Sequence, residues 1–578
     1  MGPFIKIVEQ KVEEALKECG YEQKVTLNVS SRPDLGQYQY NGAMGIAKQY
    51  RTNPIEVAKK LVAILEKDEY FTNVNIAGPG FINLSFNNEK LVEYANEVVK
   101  NFDVVVDKKE SKTVVIDYGG ANAAKALHVG HMRSANIGEA LKRLYKLVGH
   151  NVIGDVHLGD VGRQAGMVIS ELKRRQPDLA FFKDDYDGSN PKINITPADL
   201  GVMYPAASAA AKEDEERMEE VRQITALVDK GYKPYVDLWK QIIEVSSQDI
   251  KQIYNRLNCE FDLWEGEMDS YKYVPQTIEV LKPHMYESEG ALVIDVKQDD
   301  DKLEIPPLLV IKTDGSTIYA TRDLATIYSR VERFDPDEIC YVVDNRQGLY
   351  FKQVFRASYK SGLVKPDCEL NYYGFGTMNG SDGKPFKTRD GGVMELRNLI
   401  SMVEEVTYTK LKENIVGKER EEIAKKLAIA VLKYGDLLPL RSTDYVFDVE
   451  KFSALEGKTG PYILYTAVRI NSIFSKLNDQ KDNYTIKGIY SDEELNLYVK
   501  LVELTKTIDT SFNEKALSYI CDYLFNLANL YNKFYSEHNI LNETDVKKKE
   551  SYLGLSKLVY KVIERLLNVL AIEMIDKM

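Results

Sequence analysis

The clearest periodic pattern in the chain lies between residues 112 and 164. It begins with the β-branched run Val114–Asp117, has apolar residues close to every 3.6 positions through Met132–Val148, and ends in the apolar run Asn151–Val156. Gly149 stands where a glycine commonly ends a helix. The pattern predicts a strand, a helix and a strand, and such a βαβ unit implies a parallel sheet.

The alternation of strands and helices stops after this unit and resumes near Pro307. Residues 176–300 carry long helical patterns and a charged run, which we interpret as an insertion that splits the sheet. Beyond the insertion the two patterns alternate again. We predict strands at Leu308–Ile311, Thr317–Ala320, Glu338–Val343 and Tyr372–Phe375, and helices at Arg322–Val331 and Tyr350–Tyr359.

Both ends of the chain differ from this central part, so we predict an α/β protein of several domains. The first hundred residues mix helical and strand patterns around a Gly-Pro-Gly turn, and almost every pattern after Met394 is helical. The predicted parts are an N-terminal α+β domain (1–108), an α/β domain (112–395) with the insertion at about 176–300, a helical connector (396–450) and an all-α bundle (451–578).

Composition narrows the class of protein. A chain of 578 residues is too long for one core, and 44% apolar with 28% charged residues is typical of soluble globular proteins. No apolar run reaches the roughly 18 residues that a membrane helix needs, so we expect no membrane association. The five cysteines are scattered without a CxxC pair. This spacing argues against zinc or a disulfide framework and favours a cytoplasmic location.

Charge is distributed unevenly along the chain. The net charge of −12 does not favour general binding to nucleic acid. Between residues 451 and 578, however, 17 Lys and Arg balance 17 Asp and Glu, so the acidity lies in the first 450 residues. This C-terminal block also holds 11 of the 37 tyrosines. Such rings can stack on single-stranded bases, although we expect most of them to pack between helices.

Candidate chemistry is concentrated in the loop between the first predicted strand and helix. His128 and His131 flank Gly130, which permits a nucleotide to approach the backbone closely. The imidazoles and the helix N-terminus can donate to phosphate oxygens, and Lys125 adds a positive charge. An HxGH tetrapeptide alone is a weak signal, and a structural histidine is the competing interpretation. A metal site is not expected, because no third ligand is evident.

A second cationic element follows the last predicted strand of the sheet. The loop SDGKPFKTRDGG carries Lys384 and Lys387 between glycines. Lysines on such a loop can hold a triphosphate and follow its charge into the transition state. A solvated basic loop explains the same residues equally well. The position after a sheet strand favours a functional role.

Two cationic motifs on one split Rossmann-like sheet resemble the class I aminoacyl-tRNA synthetases, whose HIGH signature is similar to HVGH here. The chain most resembles the arginyl-tRNA synthetase family within this class, in the family's order over most of residues 112–578. The segments that carry the resemblance are GGANAAKALHVGHMRS (119–134), HLGDVGRQAGM (157–167), MYPAASAAAKED (203–214), DGSTIYATRDLA (314–325), YVVDNRQGLYF (341–351), GKPFKTRDGG (383–392), YVFDVEKFSALEGKTGPYILYTAVRI (445–470) and LFNLANLYNKFY (524–535).

The resemblance implies activation of L-arginine with ATP and Mg²⁺, followed by transfer to the 3′ end of tRNA(Arg). It implies a Rossmann-like catalytic domain, an N-terminal domain that contacts the tRNA D-loop, and a helical anticodon-binding domain. By position it assigns ATP binding to His128, Gly130, His131, Lys384 and Lys387, and arginine binding to Asn122, Glu267, Tyr319, Asp323 and Gln347. It places His157, Gly159 and Asp160 in the lining of the same crevice. It assigns tRNA binding to Phe81, Asn83, Tyr531, Tyr535 and Met578.

Two positions depart from the family pattern. Met268 follows Glu267 where the family usually has serine. There is also no KMSKS sequence, although the two lysines of KPFKT keep its spacing. Family members without the second lysine carry one just before HIGH, where this chain has Lys125. We therefore divide the catalytic role between Lys125 and Lys387 and leave open which of them dominates.

Three other functions stay open at this point. A smaller HxGH nucleotidylyltransferase explains the histidines but not the helical C-terminal block. A non-catalytic tRNA-binding relative would be free to lose His128, His131, Asp323 and Gln347, which are intact. The third function is that of a synthetase for another amino acid. Asp323 could pair with a cationic side chain, which favours arginine or lysine as the amino acid substrate. We expect a monomer that acts on tRNA(Arg) and L-arginine.

Overall fold

The computed structural model describes residues 2–380, 382–384, 386, 394–477 and 484–578. Its N-terminal part is an antiparallel sheet packed against helices, as the mixed pattern predicted. Glycines with positive φ at Gly78 and Gly80 form the predicted turn between the last two strands. The strands pair in the order β1-β2-β4-β3. The elements are α1 (Phe4–Glu18), β1 (Asn28–Val29), β2 (Tyr38–Tyr40), α2 (Ala43–Tyr50), α3 (Pro54–Leu65), β3 (Phe71–Ala77), β4 (Phe81–Phe86) and α4 (Asn88–Lys100).

A parallel four-stranded sheet occupies the centre of the chain and confirms the βαβ prediction. Its strands are β5 (Thr113–Asp117), β6 (Asn151–Asp155), β10 (Glu338–Tyr341) and β11 (Glu369–Tyr372), in the order β11-β10-β5-β6. The connection from β5 to β6 is α5 (Val129–Leu147), and Gly149 follows it with φ of +110°. Alternate residues of β5 face opposite sides: Val114 and Ile116 pack towards α5, and Val115 packs towards the helices on the other face.

The segment between β6 and β10 contains the predicted insertion. It is mostly helical and includes a separate antiparallel sheet in the order β7-β8-β9. The strand predicted at Leu308–Ile311 is present, but it belongs to this second sheet. The elements are α6 (Arg163–Arg175), α7 (Pro197–Glu213), α8 (Glu215–Asp229), α9 (Lys233–Arg256), α10 (Glu267–Ser270), α11 (Val274–Leu281), β7 (Met285–Ser288), β8 (Ala291–Ile294), β9 (Leu308–Ile311) and α12 (Tyr319–Phe334).

One predicted strand was wrong. Residues 317–320 read as a strand because of their β-branched and aromatic side chains, but α12 begins at Tyr319. The hydroxyl of Thr321 accepts the backbone N–H of Ile318 at 3.1 Å, which caps the first turn of the helix. Thr317 forms only an isolated bridge to Ile311. The strand predicted over 372–375 also lies earlier, at residues 369–372.

The C-terminal third is helical, as predicted, apart from one short strand. That strand, β13, pairs in parallel with β12 at the start of the Lys-rich loop. Within the described ranges, no helix is both long and apolar enough to cross a membrane. The elements are α13 (Gly348–Lys360), β12 (Met378–Asn379), α14 (Leu396–Lys410), α15 (Gly417–Leu437), β13 (Tyr445–Val446), α16 (Val449–Phe452), α17 (Gly460–Ser475), α18 (Asp492–Glu514), α19 (Ser518–Glu537) and α20 (Val546–Val569).

A buried ion pair joins the first helix of the sheet to this helical part. Arg133 on α5 is 1% exposed, and its Nε donates to the Asp436 carboxylate on α15 at 2.9 Å. Its Nη1 donates to the carbonyls of Gly376 and Thr443, which lie beside β12 and β13. Arg133 therefore fixes the HVGH helix relative to the strand that leads into the Lys-rich loop.

Candidate active site

The two histidines of HVGH cap the helix that they precede. The backbone N–H of Gly130 donates to Nδ1 of His128 at 3.1 Å, and the backbone N–H of His128 donates to Nδ1 of His131 at 3.0 Å. The ring centroids are 3.9 Å apart. A Cβ on Gly130 would lie 2.9 Å from the His128 ring, so glycine permits this close packing. Because each Nδ1 is an acceptor, each neutral ring carries its proton on Nε2.

The surroundings keep both imidazoles neutral. Burial lowers the pKa of His131 to about 3, and the nearby His128 and Lys125 act in the same direction. Burial, followed by the charge of Lys125, also lowers the pKa of His128. At neutral pH the motif therefore offers two neutral Nε2–H donors beside the N-terminus of α5.

Lys125 is half-buried beside these rings. Its Nζ lies 5.0 Å from the centroid of the Tyr204 ring, and no carboxylate in the described part of the chain forms an ion pair with it. A cavity of about 500 Å³ opens next to it and is lined from α7, α9 and the segment after the Lys-rich loop, including Ser246, Asp249 and Arg397. The lysine is thus available to an anionic ligand.

The chain that leaves the Lys-rich loop lies next to HVGH. Lys384 is exposed, and its backbone carbonyl accepts the N–H of Gly380 at 2.8 Å. Beyond the loop, Val129 N donates to the Met394 carbonyl at 3.3 Å and Leu396 N donates to the Leu127 carbonyl at 2.8 Å. These bonds bring the chain that leaves the loop against the HVGH motif. The predicted catalytic Lys387 lies outside the described residues.

The helix α12 carries two of the predicted arginine ligands on its first turn. Tyr319 is 57% exposed, and its ring centroid lies 5.0 Å from that of Tyr350 on α13. The Tyr350 hydroxyl donates to the Asp323 carboxylate. Burial raises the pKa of Asp323 to about 6, although the bond from Tyr350 opposes the shift. Asp323 is therefore a half-buried carboxylate that accepts a hydrogen bond from Tyr350, whose ring packs against Tyr319.

Glu267, a further predicted arginine ligand, already has a cationic partner. Arg322 donates from Nε to the Oε2 atom of Glu267 at 2.7 Å. The segment that holds Glu267 also contacts Asp160, which accepts the backbone N–H of Met268 at 2.9 Å. Burial is the main cause of a pKa of about 7 for Asp160, and Glu267 contributes to the increase. Asp160 thus supports the backbone next to Glu267.

Asn122 and the crevice residues lie at the end of β5 and β6. Asn122 and Gly159 form a parallel bridge, and a Cβ on Gly159 would lie 2.5 Å from Asn122 Oδ1, so glycine is required there. His157 has φ of +35°. Its backbone N–H donates to Asp155 Oδ1 at 3.1 Å, and its Nε2 lies 3.4 Å from Thr326 Oγ1. The structure therefore brings these residues to the carboxyl edge of the sheet, where α/β folds bind ligands.

Gln347 lies at the same edge of the sheet. It ends a short 3-10 turn, Asn345–Gln347, that follows β10, and its side chain is exposed. The carboxylate of Asp344 accepts the backbone N–H of Arg346 and fixes this turn. The amide of Gln347 is therefore free to contact a ligand above the sheet.

Sequence reasoning missed a buried cluster beneath this site. Arg330 on α12 is 2% exposed and donates to both Asp117 and Asp155 at 2.6 Å. The sheet register places these two carboxylates opposite one another at the ends of β5 and β6. Aspartates at the ends of two predicted parallel strands could have indicated such a cluster. Tyr350 and Arg322 had no comparable signal, because only tertiary packing brings them to the acids.

The predicted tRNA contacts differ in exposure. Phe81 on β4 and Tyr535 on α19 are half-buried. Asn83 has 0% exposure and donates to Asn75 at 2.9 Å, so its side chain is part of the sheet. Tyr531 is also fully buried, and its hydroxyl donates to Ser556 at 2.9 Å. Met578 is buried as well. Direct contact of tRNA with the last three side chains does not fit these positions.

The described residues offer no evident cage for a metal ion. Within them, no group of three or more His, Cys, Asp or Glu side chains is arranged to hold one. The acids at the carboxyl edge of the sheet are instead paired with arginine or hydrogen-bonded to tyrosine and backbone groups.

Three sequence families match the chain in succession. The family described as "Arginyl tRNA synthetase N terminal domain" matches residues 6–86, "tRNA synthetases class I (R), catalytic domain" matches 95–449, and "DALR anticodon binding domain" matches 463–578. The chain is also 47% identical over 587 residues to arginine–tRNA ligase of Alkaliphilus oremlandii, with all of both chains covered.

Solved structures agree at the level of the fold. Arginyl-tRNA synthetases from Plasmodium falciparum and Thermus thermophilus each superpose with a TM-score of 0.81 and full coverage of both chains, at 21% and 19% identity. The split parallel-sheet catalytic domain, the N-terminal α+β domain and the helical C-terminal domain predicted from the sequence are confirmed. The chain therefore belongs to the arginine–tRNA ligase family of class I tRNA synthetases.

Proposed function

We propose that this chain attaches L-arginine to the 3′ end of tRNA(Arg) in an ATP-dependent reaction. Its family membership supports ATP, arginine and tRNA as the substrates. The observation that carries the choice of arginine is Asp323, a shielded carboxylate beside Tyr319 and Tyr350. A carboxylate can accept both arms of a guanidinium, and an aromatic ring can stack on its plane.

In the first step, the arginine carboxylate attacks the α-phosphorus of ATP, and pyrophosphate leaves. We infer that the Nε2–H groups of His128 and His131 donate to phosphate oxygens as negative charge moves to the leaving group. The N-terminus of α5 acts in the same direction. Because both imidazoles are neutral, they contribute as fixed hydrogen-bond donors and the lysines supply the positive charge.

Lys125 and Lys387 share that charge in this proposal. Lys125 is supported by its place beside the histidines and by the lack of a described carboxylate partner. Lys384 and Lys387 are assigned by their spacing on the loop. Mg²⁺ would enter with ATP, since this ion usually keeps several waters and binds through substrate phosphates.

Arginine recognition uses five side chains in this proposal. Asp323 and Glu267 take the guanidinium, and Tyr319 covers it. Asn122 and Gln347 hydrogen-bond the α-amino end, which places the carboxylate towards ATP. In the second step a ribose hydroxyl at the 3′ end of tRNA attacks the carbonyl carbon of the adenylate, and AMP leaves.

The contacts with the rest of tRNA follow the division of the chain. We propose that residues 1–108 meet the D-loop through Phe81, that 112–395 carry the catalysis, and that 396–450 connect to an anticodon-binding bundle at 451–578 with Tyr535 on its surface. Asn83, Tyr531 and Met578 support these surfaces from within. A monomer acting in the cytoplasm completes the proposal.

The test is aminoacylation with purified protein, ATP, Mg²⁺, total tRNA and each amino acid in turn. We expect charging with arginine alone, and pyrophosphate exchange with arginine that requires tRNA, as the family resemblance implies. Charging with lysine would instead support the related synthetase. Absence of any charging, with transfer of a nucleotide to a small phosphate or amine, would support the nucleotidylyltransferase.

A further inference from the structure

The pocket assigned to the substrate guanidinium already contains a guanidinium of the protein. Arg322 donates from Nε to Glu267 Oε2 at 2.7 Å. It is adjacent in sequence to Asp323, the other predicted acid, and lies one turn of α12 or less from Tyr319. The side chains proposed to bind the substrate arginine therefore surround Arg322, a residue of the protein that no motif had assigned to the site.

This ion pair is held in place by backbone contacts on both sides. Glu267 starts α10, and its backbone N–H donates to the Leu158 carbonyl at 3.0 Å. Arg322 belongs to the first turns of α12, where its N–H donates to the Ile318 carbonyl at 3.2 Å. The side chains of Arg322 and Glu267 are 15% and 24% exposed, respectively, so water screens their interaction less than at an open surface.

Within the described part of the chain, the Glu267 carboxylate accepts a side-chain donor through one oxygen. Among the described residues, Arg322 is the side-chain donor to Glu267, and it reaches Oε2. Oε1 remains available for a second donor. A carboxylate has about four lone-pair sites, so it can accept from two guanidinium groups at once.

The charges of Glu267, Asp323 and Arg322 also fit the binding of a cationic side chain. Glu267 and Asp323 carry two negative charges, which repel one another at short range. Arg322 supplies one positive charge against these two acids. A bound arginine side chain supplies a second, so that each of the two acids has a guanidinium partner.

We propose that Arg322 is a positioning residue for the amino acid substrate: it fixes Glu267 through Oε2 and leaves Oε1 and Asp323 to bind the substrate guanidinium. This inference rests on the proposed function, because it presumes that arginine is the substrate. It explains how two partly buried acids can coexist in a pocket that receives a single cation. A neutral isostere such as citrulline would leave one acid without a counter-charge.

The same helix provides a matched control. Arg333 on α12 donates from Nη1 to Glu265 Oε2 at 2.6 Å, two residues before Glu267. The two pairs join the same helix to the same segment. We have placed neither Arg333 nor Glu265 in the binding or catalytic machinery. The variants Arg322→Gln and Arg333→Gln therefore remove comparable ion pairs, and only the first lies in the arginine pocket.

The experiment compares arginine charging of tRNA by the wild type and the two variants. We expect Arg322→Gln to raise the KM for arginine by roughly tenfold to a hundredfold, as for loss of a charge-assisted contact. The KM for ATP should change less than about twofold, within the scatter of a neutral surface change. Arg333→Gln should leave both constants near wild type. Arg322→Lys should recover part of the arginine affinity, because the lysine retains the charge without the planar fork.

A second measurement covers the case in which Arg322→Gln folds poorly. The double variant Arg322→Gln/Glu267→Gln removes the unpaired acid, and we expect it to be more heat-stable than Arg322→Gln. Its KM for arginine should remain high. If the wild type charges arginine but Arg322→Gln behaves like Arg333→Gln, this inference fails and the proposed function stands. If the wild type does not charge arginine, the proposed function itself fails.

Discussion

At the scale of single residues, His128 uses its two ring nitrogens for different purposes. Nδ1 accepts the N–H of Gly130 at the helix start, and Nε2–H remains for a ligand. We predict that His128→Asn keeps the cap, because asparagine is a favoured capping residue. Activation should slow by about 10²–10³, as for loss of one transition-state donor. Pyrophosphate exchange with tRNA present and the thermal midpoint measure the two effects.

The matched variant is His128→Ala, which removes both the cap and the donor. It should lose similar activity and also about 1 kcal/mol of stability. If His128→Asn retained wild-type activation, the role of Nε2–H as a donor to phosphate would be refuted.

The raised pKa of Asp323 predicts how arginine binding depends on pH. In the proposed pocket the carboxylate form of Asp323 binds the guanidinium, and burial raises its pKa to about 6. The binding form is therefore present above this pKa and is lost as the pH falls through it. We expect the KM for arginine to rise below about pH 6. Because the Tyr350 hydroxyl stabilises the charged form, Tyr350→Phe should move this rise to higher pH. Steady-state charging between pH 5.5 and 8 measures both profiles, and coincident profiles would contradict the assignment.

Lys125 is expected to act in adenylate formation. Its ammonium group lies beside the two histidines and lacks a described carboxylate partner. Lys125→Ala should slow pyrophosphate exchange more than it weakens tRNA binding, because the charge acts on the phosphates of ATP. Exchange kinetics and tRNA filter binding measure the two effects. Lys384→Ala removes a lysine from the Lys-rich loop and is measured in the same two assays for comparison with Lys125→Ala. Near-normal exchange by Lys125→Ala would transfer the role to Lys387.

At the scale of elements, a buried ion pair and a hydrogen bond join α5 to α15. Arg133 and Asn136 both donate to the Asp436 carboxylate, at 2.9 and 3.0 Å. Arg133→Met should be strongly destabilising, by about 3–5 kcal/mol, because Asp436 is then buried without a counter-charge. The double variant Arg133→Met/Asp436→Leu should recover much of this loss. Thermal denaturation of the three proteins compares them, and equal midpoints for the single and double variants would contradict the explanation.

The elements also show how far the sequence predicts this structure. Local patterns predicted β5, α5 and β6, because each has a clear period and ends at a recognisable residue such as Gly149. The pattern at residues 317–320 predicted a strand, because β-branched residues favour strands. A helix begins there instead, and the hydrogen bond to the Thr321 hydroxyl stabilises its first turn. Sheet membership of β9 likewise depends on long-range pairing that a local pattern does not contain.

The site was predictable in part for the same reason. Residues carried by motifs, such as His128 and Asp323, could be proposed as site residues from the sequence, and these assignments stay predictions. The bond from Tyr350 to Asp323 and the pair between Arg322 and Glu267 join different elements, so they emerge only from packing. The exposure of a candidate contact is equally non-local, which is why Tyr531 was assigned to a surface although it is buried.

At the scale of the whole molecule, the N-terminal domain and the linker that follows it contact the C-terminal helix α18. Asp509 on α18 pairs with Lys109 at 2.9 Å and with Lys6 at 3.5 Å. Near it, the Thr505 hydroxyl donates to the Val105 carbonyl at 2.7 Å. The two parts that flank the catalytic sheet therefore hold one another, and tRNA that meets both would depend on their relative position.

This contact leads to a prediction about tRNA. Asp509→Asn removes the carboxylate of α18 from Lys6 and Lys109, which keep their pairs with Asp107. Residues 1–108 should therefore be held less tightly against α18. We expect a higher KM for tRNA(Arg), unchanged KM values for arginine and ATP, and faster amide hydrogen exchange in β3 and β4. The control is Asp522→Asn, which breaks the exposed pair with Lys458 and should alter none of these. An increase in the KM for arginine equal to that for tRNA would indicate damage to the catalytic domain instead, because the proposed arginine pocket is built from elements that Asp509 does not contact.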